Sequence, residues 1–104
     1  MLLLDDEDQV PEAPTDAERG LIASLGPEGI AAMDEALLNA ARPNWLKVAR
    51  VVHDAIEAGG FSIEDQQVQL HVRRIVALVD VRKLEAQGNL LQPRFSEVRL
   101  PTRP

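Results

Sequence analysis

The 104-residue chain contains no cysteine and no tyrosine, one tryptophan and two phenylalanines. Without cysteine it has no disulfide, no thiolate zinc site and no thiol nucleophile, a composition that suits a reducing cytoplasm. Three aromatics among 104 residues are too few for a surface that stacks successive nucleic-acid bases, and Trp45, Phe61 and Phe95 read as core or wall residues. Long apolar runs are missing as well. Met1-Leu2-Leu3-Leu4 is followed by Asp5-Asp6-Glu7-Asp8, with no basic stretch before it, so it is not read as a signal peptide, and nothing later approaches a membrane span.

Positive charge is absent from the beginning of the chain. Residues 1–18 hold seven acids and no base, whereas from Arg73 onward there are seven bases and three acids. Of the net charge of −6, five negative charges fall in a leader over residues 1–14, read as disordered and solvated, with Pro11 and Pro14 as punctuation. An acidic arm folded back on the basic final third is the sharper reading of the same pattern. Residues 15–104 form one domain, long enough to bury a core without covalent staples.

Helix signals are plentiful in that domain. Thr15-Asp16-Ala17-Glu18 has the form of a capping box, in which the threonine hydroxyl takes a backbone N–H and Glu18 reaches back to the cap. Leu21, Ile22 and Leu25 make an apolar stripe, and Gly26-Pro27 ends the helix. A second helix spans Glu28–Ala41 with Ile30, Met33 and Leu37 on one face, and Arg42-Pro43 breaks it. Asn44 caps a third, with Trp45, Val48, Val52 and Ile56 inward and Arg50–Asp54 at salt-bridge spacing, stopped by Gly59-Gly60.

The fourth and longest helix covers residues 62–83, with Ser62 as its cap. Val68, Val72, Ile75 and Val79 point inward, while Gln66, Leu70, Arg73 and Ala77 occupy the far side at about 100° per residue. Leu84 and Ala86 then alternate with Glu85 and Gln87, and Ser96, Val98 and Leu100 with Glu97 and Arg99, as in two half-buried strands. The connection from Asn89 to Pro93 is longer than a tight turn and reads as a mobile wing. These features specify an α+β, winged-helix-like domain of four helices followed by a C-terminal β-hairpin. Its expected core is Leu21, Ile22, Leu25, Ile30, Met33, Leu37, Trp45, Val48, Val52, Ile56, Val68, Val72, Ile75, Val79, Leu84, Val98 and Leu100.

Arg42-Pro43-Asn44-Trp45-Leu46-Lys47-Val48-Ala49-Arg50-Val51-Val52, Gly88-Asn89-Leu90 and Arg94-Phe95-Ser96-Glu97-Val98-Arg99-Leu100-Pro101 resemble segments of a bacterial family of unknown function. Its members carry a similar tryptophan-lysine-valine helix and end in a similar strand, and the likeness covers residues 15–101. It implies no activity and no catalytic or binding residue. Val81 stands where winged-helix proteins often have glycine before the first wing strand.

Chemistry-bearing constellations are scarce. His53 and His71 lie on different helices with no partner at ligand spacing, and Asp5 to Asp8 lack the glycine and distal glutamate of a calcium loop, so neither metal nor cofactor is expected. Ser24 and Ser62 have no nucleophile-elbow context, and no glycine-rich phosphate loop follows a strand. An enzyme is not expected. His71 reads as a core-edge histidine bonded to a backbone carbonyl, His53 as a surface one.

Two readings remain. Leu70, in the middle of a Gln/Arg/Ala face, points to a non-enzymatic interaction module of the bacterial cytoplasm, an adaptor or partner-neutralising protein. It would bind another protein through helix 62–83 and the wing, with Gln66, Gln69, Leu70, Arg73, Arg74 and Arg94 as contacts. The alternative is a winged-helix transcriptional regulator, dimeric, in which Gln66, Gln69, Arg73 and Arg74 read base edges and Arg82, Lys83 and Arg94 meet phosphates. Net acidity and the pair Glu64-Asp65 in the first turn of the reading helix oppose that alternative.

Overall fold

Thr15 is extended and its Oγ1 accepts the Glu18 backbone N–H at 3.2 Å, so the first helix starts where the capping signal places it. In the computed structural model, which describes residues 9–101, this helix (α1, Asp16–Ala40) runs through Gly26, whose φ of 67° and ψ of −179° break the helical geometry. That combination belongs to glycine almost alone. Pro27 needs no N–H where the helix resumes, so the break costs one residue and the two expected segments join into one kinked span.

Ala41 is extended, the chain bends at Pro43-Asn44, and Leu46–Lys47 form a short strand, β1. The second helix (α2) covers Val48–Gly59 and ends on left-handed Gly60, where the Phe61 N–H reaches the Ile56 carbonyl at 3.0 Å. The third (α3) covers Asp65–Asp80. It closes with the Lys83 N–H on the Leu78 carbonyl at 2.8 Å and with Arg82, a non-glycine residue, at φ 64°. Strand β2 (Glu85–Gln87), a 3-10 turn at Pro93–Phe95 and strand β3 (Glu97–Arg99) complete the described chain.

The sheet is antiparallel in the order β1-β3-β2, with Leu46 opposite Val98 and Ala86 opposite Val98 on the other side. Val98 is therefore the apolar centre of three strands, and it is fully buried. On the outer face Arg99 lies across from Glu85, their Nε and Oε1 2.7 Å apart, with its guanidinium 4.4 Å from the centre of the Trp45 ring.

The winged-helix-like layout of four helices followed by a hairpin is thus corrected to three helices and a three-stranded sheet. The third expected helix begins at Val48 because β3 captures residues 46 and 47, and the Val48 N–H donates to the Ser96 carbonyl at 3.0 Å. That pairing joins residues about 50 apart in sequence, so no local pattern announces it. Ser62 is not the cap of α3. Glu64 holds that position, and the Ser62 hydroxyl donates to the Glu64 carboxylate at 3.1 Å. The connection before β3 is not a free wing either. Asn89 Oδ1 takes the Leu91 N–H at 3.0 Å, the Asn89 carbonyl takes the Gln92 N–H at 2.9 Å, and Pro93 is buried.

The core is the valine-rich interior of α2 and α3 with Met33 and Leu37 from α1, Leu84 just before β2 and Val98 from β3. Leu21, Leu25, Ile30, Val79 and Leu100 only border it, Trp45 is half-buried, and Ile22 is outside it. Of the leader, residues 1–8 lie outside the described residues. Residues 9–14 form an arm against the fold: Val10 is fully buried and its N–H donates to the Leu91 carbonyl at 2.8 Å. Among the described residues no helix is long and apolar enough to cross a membrane.

Candidate functional site

The outward face expected of α3 is partly covered: Leu70 is buried, and Gln66, Arg73 and Ala77 are half-buried. Gln67, Val68, Leu70, His71, Val72, Ile75 and Leu78 are all buried. At 100° per residue they span an arc of about 200°, twice the stripe of a helix covered on one side. Leu70 is 2% exposed, which removes it as an exposed contact. One turn further along, the Arg74 guanidinium grips both carboxylate oxygens of Asp34 in α1, at 2.8 and 2.9 Å. Leu70 therefore lies on the side of α3 that α1 covers.

The polar members of the same face are committed within the chain. Arg73 pairs through Nε with the fully buried carboxylate of Glu18 and donates from its other nitrogens to the Pro11 and Glu12 carbonyls of the arm. Gln69 accepts the Thr15 hydroxyl at 3.4 Å, and the Gln66 amide donates to Glu64 at 3.3 Å. Arg94 stands apart from these four, half-buried in the 3-10 turn beside exposed Phe95. The structure thus gathers Gln69, Arg73 and Arg74 against α1 and the arm, not on a common outward surface. A guanidinium already occupied by a carboxylate in both directions of its fork has little left for a guanine edge.

Glu18 is the residue that pattern reading misplaces. Its backbone N–H completes the cap, but its side chain turns to Arg73 instead of closing a capping box. The signal was present: Glu18 sits three, four and seven residues before Leu21, Ile22 and Leu25, so a carboxylate occupies an apolar stripe. Its Oε1 has no hydrogen-bond partner among the described residues. Only a tight ion pair offsets such a burial.

His71 is buried at the centre of α3, with Nδ1 2.7 Å from the Gln67 carbonyl and its ring edge-on to Phe61. A carbonyl only accepts, so Nδ1 holds the proton and Nε2 is a bare lone pair with no partner among the described residues. Burial lowers its pKa below the ordinary 6.5, partly offset by the bond to the Gln67 carbonyl. It is a neutral core residue. His53 is exposed beside Asp54. Among the described residues, no three His, Asp or Glu side chains are grouped to hold a metal ion.

Among the described residues, Ile63, Val81 and Phe95 are exposed singly, whereas the exposed isoleucine of α1 lies beside an apolar cleft. Ile22 is 37% exposed, and with Ala23, Gly26, Pro27, Ile30 and Ala31 it lines an open cleft of about 520 Å³ at the break, closed at one end by Asp34. A second groove lies between α1 and α2 beside Glu35, Asn39, Arg42 and Asp54, and a third between the arm, α3 and Leu90-Leu91. No serine, threonine or histidine lines any of the three. None offers a nucleophile with its base.

No family model matches the chain, and no curated protein or solved structure matches it either.

Proposed function

We propose that the chain is a non-enzymatic protein-interaction module of the bacterial cytoplasm, an adaptor or partner-neutralising protein, and that it docks through the outward side of α1. The observation that carries this reading is an inversion within one helix: α1 buries the carboxylate of Glu18 completely and leaves Ile22 more than a third exposed. The buried charge is held by its partner on α3, whereas Ile22 is continuous with the apolar lining of a cleft, and a contiguous apolar surface is what a protein partner covers. The absence of cysteine and the resemblance to a bacterial family support the compartment.

The same reading moves the docking surface away from α3, whose glutamines and arginines are bonded within the chain, and from the loop before β3, whose backbone is held by Asn89. It also favours a protein over DNA. The glutamine and arginine set on which a regulator would depend is tied to Thr15, Glu18, Asp34 and Glu64, and the net charge of −6 opposes counterion release.

The test is quantitative affinity capture from native lysate with nuclease present, comparing the wild-type chain, Ile22→Asp and the surface control Gln66→Ala. A protein retained by wild type and by Gln66→Ala but lost by Ile22→Asp is the expected outcome. Retention of every partner by Ile22→Asp, or recovery of nucleic acid instead of protein, would contradict the reading.

A further inference from the structure

The partner element that fits the α1 cleft can be named by its chemistry. We infer that the cleft at the Gly26–Pro27 break receives a basic amphipathic helix, an inference that rests on the interaction-module reading. Three independent features of α1 converge on that occupant.

The first is shape. Ile22, Ala23, Gly26, Pro27, Ile30 and Ala31 make an apolar trough in which three of the six residues, Ala23, Gly26 and Ala31, have a methyl side chain or none. Small residues at a helix surface let a second helix approach to the short end of the usual 8–10 Å separation. An incoming helix would seat one or two apolar anchors at i and i+3 or i+4 beside Ile22 and Ile30.

The second is charge. Within Asp16–Ala40 there are five acids and one base. Asp16 is paired with Arg19, Glu18 with Arg73 and Asp34 with Arg74. Glu28 and Glu35 are exposed, and among the described residues neither is in an ion pair. Seven positions apart, they lie on the same side of the helix about 10 Å from each other, next to Ala31 at the edge of the trough. Two unpaired carboxylates bordering an apolar surface select lysine or arginine on the flank of the partner helix and reject acids.

The third is the backbone. Pro27 has no N–H to offer the carbonyl of Ala23, four residues earlier, so at the break a residue that lines the cleft lacks its usual helical donor. Acceptors are what a lysine ammonium or an arginine fork requires. A second copy of this chain fits less well. The chain carries a net charge of −6 and α1 is acidic on its exposed side, so an α1-to-α1 contact would set like charges against each other.

The experiment uses a fluorescein-labelled helical peptide of about eighteen residues, long enough to match the α1 face. It carries leucine at i, i+3, i+4 and i+7 and lysine on both flanks, and a matched peptide carries glutamate in place of lysine. Anisotropy titrations with the full chain should show binding of the lysine peptide and at least about tenfold weaker binding of the glutamate peptide. Glu28→Lys/Glu35→Lys should reverse that preference, and Ile22→Asp should abolish binding of both. These three positions are exposed, so folding should be unaffected, as circular dichroism melts will show.

Equal affinity for the two peptides, or no reversal in the double variant, would overturn the inference. So would binding of neither peptide. If Ile22→Asp nevertheless loses a captured native partner, the interaction-module reading stands and only the basic helix falls. Wild-type dimers in sedimentation velocity that Ile22→Asp converts to monomers would also overturn it, because a second copy would then cover the cleft.

Discussion

Helices α1 and α3 both mix polar and apolar side chains but use them in opposite ways. Helix α3 exposes a glutamine- and arginine-rich face when drawn alone, yet it packs against α1 and α2, and the N-terminal arm reaches Arg73. Its polar groups serve the fold. Helix α1 reads as an ordinary packing helix, yet only Glu18, Met33 and Leu37 of its residues are buried. Its leftover apolar surface is free for something else. Amphipathic period identifies the face that a helix must bury; it does not say whether the remaining face is covered as well.

The largest effect expected from breaking this contrast is at the Glu18–Arg73 pair. Arg73→Ala leaves an uncompensated carboxylate in the interior and should cost about 3–5 kcal/mol in urea unfolding. A change within ordinary surface scatter would mean that Glu18 is solvated and that α3 is not clamped. Next comes Leu70→Ala, which should lose about 2–4 kcal/mol as a large-to-small core substitution. Near-neutrality there would return Leu70 to the surface.

The His71 prediction concerns pH. Burial holds its native pKa below 6.5, so as pH falls through that value the unfolded chain takes up a proton that the native chain refuses. Stability from this site is complete above pH 6.5 and declines below it, by up to about 1.4 kcal/mol per pH unit until the native pKa is reached. Urea midpoints at pH 7.5, 6.5 and 5.5 should show that loss in wild type and a flatter profile in His71→Leu. The smallest effect is expected at Ile22→Ser, within about 0.5–1 kcal/mol of wild type because its side chain is already partly in water. A cost comparable to that of Leu70→Ala would erase the distinction between the two helices.

Much of the local structure is legible in the residues. Thr15 caps α1, Gly26-Pro27 breaks it, Gly60 stops α2, and His71 finds a backbone carbonyl. Each follows from interactions within a few positions. Apart from the Ser62 cap and the loop held by Asn89, the errors involve partners distant in sequence. Strand β1 exists because Ser96, Glu97 and Val98 offer it a ladder, Val10 is core because Leu91 and its neighbours cover it, and Leu70 is buried because α1 lies over it. The candidate surface was hidden for the same reason: Ile22 shares a stripe with Leu21 and Leu25, and only the packed arrangement shows that it remains outside. Glu18 was the one warning in the sequence, a carboxylate where the stripe calls for an apolar side chain.

A chain without cysteine allows that contrast to be measured directly. Ile22→Cys and Leu70→Cys, each the sole thiol in its protein, can be labelled with a maleimide under native conditions, with the denatured forms as references. The account predicts that Cys at position 22 reacts at close to its denatured rate and that Cys at position 70 is protected by orders of magnitude, reacting only when the fold opens. Comparable native rates at the two positions, or faster labelling at 70 than at 22, would contradict it.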